Sequence, residues 1–412
     1  LFAETYFKRF LSEKPFLKDP PNPDLFLSVV IPAYNESGLL KSLESLKKCR
    51  IGNKAVEVIV VVNASEKSTS EIITQNRVTY REVLRFKAIN DTNRLMFHVL
   101  NFENLPHKFA GVGLARKIGM DEALRRFNGL NKPGGLIAGF DADSTVQADY
   151  FIEVERFFAE KPATKACSVR FEHPVTGNEF APEIYRNIVE YELHLRYFVE
   201  ALKYADFPFA YHTIGSAFVV RADIYAAQGG MNKRKAGEDF YFLQKIIPLG
   251  HYETLNNTCV YPSPRISDRV PFGTGAAVKK MIENGSSEYL TYNFETFDIL
   301  KHFFSWIEHS YQKKCIPEMH PVLAEFLEMN DFKTGFIEIK NNSTDVHTFN
   351  QRFFLWFNAF RVIKFLNFAH EHYYTRQPVK KECLKLLKII KSEHVISDNT
   401  ENILFIYRKI QS

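Results

Sequence analysis

Between about residues 25 and 260 the apolar residues gather into short unbroken runs, separated by segments that repeat them at helical spacing. LSVVIPAYNES is β-branched, reaches Pro32 and passes into a polar turn, which predicts a buried first strand. LLKSLESLKKC repeats leucine at helical intervals, and VEVIVVVNAS reads as a second strand apolar on both faces. Strand, helix and strand in that order predict a parallel pair with a right-handed crossover. The polar stretch from Thr69 to about Asn93 is helical in pattern and LMFHVLNFE is a third strand. GVGLARKIGMDEALRRF is glycine-punctuated and then helical, and GGLIAGFDADS is a fourth strand closing on two carboxylates. YFIEVERFFAE returns to helical spacing.

Further on, Ile184, Ile188, Tyr191, Leu195 and Leu202 line one face of a long amphipathic helix from Glu183 to Ala205. FAYHTIGSAFVVRADIY resembles a strand leading into a helix, and AGEDFYFLQKI opens another with Glu238 and Asp239 at its first turn. Beyond Gly275 the chain is rich in lysine, phenylalanine and leucine at helical spacing. The pattern therefore predicts an extension over 1–24, an α/β catalytic domain over 25–289 and a mainly helical region over 290–412. In an open, mostly parallel sheet with flanking helices, ligands bind outside the carboxyl ends of the strands.

Composition narrows the class. At 412 residues the chain exceeds what one core usually serves, and 45% hydrophobic with 25% charged residues is ordinary for a globular protein. A net charge of +5, with basic and acidic residues interleaved, gives no footprint for nucleic acid. Cys49, Cys167, Cys259, Cys315 and Cys383 are odd in number and form no CxxC or Cys/His cluster, so a reducing, cytoplasmic setting without structural zinc is expected. The N-terminal stretch lacks the unbroken apolar core of a signal peptide. The run from Phe353 to His370 is broken by Arg361 and Lys364, which predicts a buried or interfacial helix and leaves peripheral contact with a membrane open.

Asp141-Ala142-Asp143 follows an apolar strand directly. Two hard oxygen ligands there suit Mg²⁺ or Mn²⁺, which proteins hold with one or two carboxylates plus substrate phosphates. A DxD alone is more often a loop or helix-cap pair. Five ordered elements supply its context: VVIPAYNES at 29–37, VIVVVNAS at 58–65, GLARKIGMDEAL at 113–124, FDADS at 140–144, and TIGSAFVVRADIY followed by AGEDF at 236–240. Together they resemble the GT-A fold of family 2 glycosyltransferases over about residues 25 to 275.

That resemblance implies a nucleotide-sugar donor, a hydroxyl acceptor that the sequence does not identify, and transfer with inversion. It sets Pro32, Tyr34 and Glu36 of the first turn and the end of the second strand around the nucleoside. Many relatives close that strand with an aspartate where this chain has Asn63, an amide that still accepts a hydrogen bond. Arg116 and Lys117 stand where relatives often carry Arg-Asn, and are expected near the diphosphate. Asp141 and Asp143 are implied as metal and donor ligands. Glu238-Asp239 resembles the ED motif, making Asp239 the general base and Glu238 an orienting group.

The loop YPSPRISDRVPFGTG over 261–275 has the proline and glycine content of a lid, with Arg265 and Arg269 in reach of the diphosphate. A QxxRW motif is missing, which argues against a processive synthase. Lone histidines such as His212 and His251 are more often structural and are left out of the metal site. Two other readings compete. A nucleotidyltransferase shares the sheet and acidic ligands but usually opens with a glycine-rich basic loop where this chain has PAYNES. A non-catalytic scaffold of the same fold has no need of a base such as Asp239. Oligomeric state is not legible in the sequence.

Overall fold

The computed structural model describes residues 1–11, 14–311, 318–391 and 399–412. Residues 1–174 and 213–276, with Ser412, form one compact unit, and residues 175–212 with 277–411 form another. Cys315 lies outside the described residues.

The first unit holds an eight-stranded sheet of β1 (Leu25–Ala33), β2 (Ala55–Ser65), β3 (Leu95–Leu105), β4 (Leu136–Gly139), β5 (Thr145–Val146), β6 (Ala166–Phe171), β7 (Phe218–Arg221) and β8 (Tyr252–Tyr261). Their spatial order is β3-β2-β1-β4-β7-β6-β8-β5. The strands β3, β2, β1 and β4 run parallel, β7 is antiparallel to both β4 and β6, and β6 is parallel to β8. The expected strand-helix-strand opening is present, with the Leu39–Lys47 helix between β1 and β2. Every residue of β1 is buried, as an unbroken apolar run demands when helices cover both faces.

β6, from ACSVRF, lay outside the periodic reading because six residues carrying serine and arginine offer little local signal. Its neighbours β7 and β8 make it a strand. Inside β2 the reading passes over Glu57, which is fully buried. Arg126 of the Val112–Gly129 helix reaches it through Nε to Oε2 at 2.6 Å and Nη2 to Oε1 at 2.5 Å. Burial pushes the Glu57 carboxyl up, but Arg126 outweighs it and holds the group below its ordinary value.

That helix packs on β1 and β2 through Gly119, where a Cβ would lie 2.4 Å from Val30 Cγ1 and 3.0 Å from Val61 Cγ2. Gly119→Ala sets a helix-propensity gain of about 1 kcal/mol against overpacking of about 1–3 kcal/mol. Since the clash is with two strand side chains, net destabilisation is expected, read as a lower midpoint in urea unfolding. A gain in stability would show that the sheet face yields.

The second unit is mainly helical, and the long Pro182–Tyr204 helix belongs to it rather than to the sheet. Its fully buried Glu192 accepts from Arg196 at 2.8 Å and from Arg408 at 2.7 Å. The run expected as one helix from Phe353 to His370 is two, Val346–Trp356 and Ala359–His372. Asn358 breaks it: its side chain accepts from the amides of Phe360 and Arg361 and starts the second helix as an N-cap. Phe353, Phe354 and Phe357 pack with Phe303 and Phe304 of the same unit, so the apolar face is core. His212 is bonded to Gln411 at 3.0 Å, and burial pushes its ring down to about 3, a neutral structural histidine. Cys49, Cys167, Cys259 and Cys383 are buried and unbridged.

Candidate functional site

The carboxyl ends of β1 and β4 meet the loops that precede two helices, and five acidic groups gather there: Glu36, Asp141, Asp143, Glu238 and Asp239. The β1 turn is fixed first. Asn35 takes a left-handed backbone, φ 48°, and its amide donates to Asn76 Oδ1 at 2.9 Å. Thr79, one turn further along the Ser70–Asn90 helix, donates to the Glu36 carbonyl at 2.7 Å. Asn76 also donates to the carbonyl of Asn63 at 2.8 Å, while the Asn63 amide donates across to Ala33 at 2.8 Å. Asn63 thus ties the ends of β1 and β2 together, a duty an aspartate could not perform because it has no amide donor. Pro32 is buried within β1, and Tyr34 is partly exposed beside the turn.

Asp141 and Asp143 follow β4, and Ser42 of the Leu39–Lys47 helix braces the loop by donating to the Ala142 carbonyl at 2.8 Å. Arg265 crosses from the 261–275 loop. Its Nε donates to Asp143 at 2.5 Å and its Nη2 to Glu36 at 2.6 Å. Arg269 adds a bond to Glu36 at 2.8 Å and another to the Asn35 carbonyl at 2.7 Å. Burial pushes the Glu36 carboxyl up, yet the two arginines prevail and hold it below its ordinary value. At Asp143 burial wins over Arg265 and the carboxyl is raised.

Arg116 is the second crossing point. Its guanidinium is 2% exposed and donates to Glu238 at 3.2 Å, to the Gly215 carbonyl at 2.8 Å and to Asp141 at 2.8 Å. Where the sequence sets Arg116 at the diphosphate, the structure makes it a buried clasp between the DxD loop and the start of the Glu238–Ile246 helix. Lys117 does not join the cluster. Adjacent helix residues diverge by about 100°, and its ammonium meets Tyr6 Oη at 2.7 Å and Asp121 at 2.9 Å instead.

Asp239 lies partly exposed next to Glu238 at the first turn of its helix, after Gly237 at φ 68°. Its Oδ1 accepts the Phe240 amide at 2.7 Å. Burial and the neighbouring Glu238 charge push its carboxyl up to about 7, against the pull of Arg116. Glu238 is raised as well, by burial. Gly215, which the sequence reading did not single out, makes this proximity possible. A Cβ there would lie 2.9 Å from Asp239 Oδ2 and 3.0 Å from Arg116 Nη2. It lies inside TIGSAF, and what sets it apart there is its closeness to Asp239 and Arg116, which exists in three dimensions alone.

A raised, partly exposed carboxyl faces a paired acidic loop across one arginine at the ends of parallel strands, where ligands of open α/β sheets bind. The family follows from comparison. Residues 28–227, just under half of the chain, match the Glycosyl transferase family 2 model, so the chain carries a family 2 glycosyltransferase domain.

Among solved structures, S. aureus TarS 1–349 in complex with UDP-GlcNAc is similar at 14% identity, over 84% of this chain and 91% of that one, with TM-score 0.41. The same protein in complex with UDP is similar at 16% identity over 58% and 60% of the two chains, with TM-score 0.38. S. aureus TarS is similar at 13% identity over 84% and 55%, with TM-score 0.40. No curated protein sequence matches the chain. Among the described residues no helix is long and apolar enough to cross a membrane.

Proposed function

We propose that the enzyme moves a sugar from a nucleotide-diphosphate sugar to a hydroxyl acceptor with inversion at the anomeric carbon, Asp239 taking the acceptor proton. The observation that carries this is the placement of Asp239, raised to about 7, beside an Arg116 that also holds Asp141. A base near 7 is half ionised at neutral pH and accepts a proton from an attacking hydroxyl without being locked in an ion pair. Glu238, bonded to Arg116, orients that pair. In this reading the β1 turn with Glu36, Tyr34 and Asn63 frames the nucleoside, and Arg265 and Arg269, which bond to Glu36, turn to the diphosphate when the donor binds.

The donor set of Asp141 and Asp143 fits Mg²⁺ or Mn²⁺ only when the substrate's phosphates complete it. Among the described residues no group of three His, Cys, Asp or Glu side chains is arranged to hold an ion unaided. Arg265 on Asp143 stands where such a cation would neutralise the carboxylate. Asp141 and Asp143 would hold such an ion, and it would supply charge to offset that building on the departing diphosphate. The catalytic domain that this reading requires extends over about 25–289, followed by the helical region.

The test is a thermal-shift titration against UDP-, GDP-, CMP- and dTDP-sugars with and without Mn²⁺, repeated on Asp143→Ala. Ligand at 100 times its Kd stabilises a native state by about 2.7 kcal/mol, enough to shift the transition visibly. We expect one nucleotide to give a metal-dependent shift that Asp143→Ala abolishes. No shift with any of them would favour a non-catalytic scaffold, and release of pyrophosphate would favour nucleotidyl transfer. A product keeping the donor's anomeric configuration would remove the inverting mechanism.

A further inference from the structure

Beside Asp239 the surface changes character. The loop before the Val112–Gly129 helix exposes Lys108 and Phe109, and the loop before Glu238 exposes Lys233, Arg234 and Lys235 in succession. These loops touch. A Cβ at Gly113 would lie 2.1 Å from the Arg234 carbonyl, and one at Gly111 would lie 3.3 Å from Lys235 Cα. Phe109 is flanked by two ammonium groups, Lys108 at 5.3 Å and Lys233 at 5.6 Å from its ring centre. Arg234 stacks on Tyr241 at 3.6 Å, one turn along the helix that carries Asp239. Phe272 is 55% exposed and faces Gly237, where a Cβ would lie 3.3 Å or less from its ring. Asn232 secures the second loop by donating to the Glu238 carbonyl at 2.8 Å.

Four cations and three exposed rings on one wall leading to a base have a specific complement. Rings offer flat apolar faces to the C–H faces of sugars, and the cations need anions on the same molecule. We propose that this wall, formed by loops 106–113 and 231–237 with Tyr241 and Phe272, docks an anionic glycan and brings its hydroxyl to Asp239. The assignment rests on the glycosyl-transfer reading for its direction, since it names the chemistry of that reading's acceptor.

Binding of dextran sulfate and of neutral dextran of equal length is measured on the full chain at two salt concentrations, with the nucleotide-sugar titration run in parallel. Dextran sulfate is expected to bind, and neutral dextran about tenfold more weakly or not at all. Lys233→Gln, Arg234→Gln and Lys235→Gln combined should weaken dextran sulfate about tenfold, since three exposed charges contribute modestly each. Phe109→Ala with Tyr241→Ala should weaken it several-fold while leaving inorganic tripolyphosphate binding unchanged. The control Lys380→Gln, Lys381→Gln and Lys388→Gln removes equal charge from the second unit and should change binding less than twofold.

Equal loss in both triple variants would overturn the proposal in favour of diffuse charge. Tighter binding of oligo-dT than of dextran sulfate at matched charge would reassign the wall to nucleic acid. A donor shift in the titration with no wall-dependent polyanion binding sinks the docking surface alone. Wall-dependent binding without any donor shift keeps the surface and sinks the transfer reading.

Discussion

Asp239→Asn is expected to lower kcat by about 10²–10⁴-fold, the usual range for removing a general base, with little change in the donor's thermal shift. Asparagine keeps the shape and the acceptor for the Phe240 amide, so the turn remains closed. The wild-type rate should rise with pH and level off above about 7, because the group works only when ionised. In Asp239→Asn that limb should vanish along with most of the rate.

Stability should move the other way. Asp239 is raised from its ordinary 3.8 to about 7, so the folded chain keeps a proton that the unfolded chain has released between those pH values. The stability this contributes is complete below 3.8 and is lost as pH rises through 7. Asparagine has no charge to bury, so Asp239→Asn should melt higher than wild type at pH 8 and about equally at pH 4. A variant that retains the rate, or melts lower at pH 8, would remove Asp239 as the base.

The second large effect is at Arg116. Arg116→Met leaves Glu238 buried at 5% exposure without its partner and frees the Gly215 carbonyl and Asp141. Breaking a buried pair from one side costs about 3–5 kcal/mol, because the charge left behind is desolvated and unpaired. We expect that loss in urea unfolding, together with a fall in kcat. Arg116→Lys should recover part of the stability but not the rate, since an ammonium cannot make the planar three-way contact. Full rate with Arg116→Lys would show that charge alone suffices at this position.

The depth of sequence reading differs from residue to residue. β1, β2, β3 and β4 were legible because each is an apolar run between turn residues, and strand signals of that kind are local. Asp141, Asp143, Glu238 and Asp239 stand out as candidates because they lie at element ends in a recognisable order. Arg116 and Lys117 are neighbours of like charge, and nothing in the chain says that one clasps the site while the other turns to Tyr6 and Asp121. Gly215 carries no local mark at all, for its constraint is the distance to Asp239 and Arg116. The Phe353–His370 run reads as one helix by hydrophobicity, whereas Asn358 caps a second helix within it.

By itself the sequence determined β1 to β4, the parallel opening of the sheet, and the order in which acidic pairs appear, since these follow from periodicity and turn chemistry within a few residues. Only the tertiary structure decided that Arg265 bridges Glu36, 229 positions away, and Asp143, 122 away, and that Arg116 joins Asp141 to Glu238. It alone shows the burial and the Glu238 charge that raise the Asp239 carboxyl to about 7. Burial and charge act through space, and the distances that set them are made by packing.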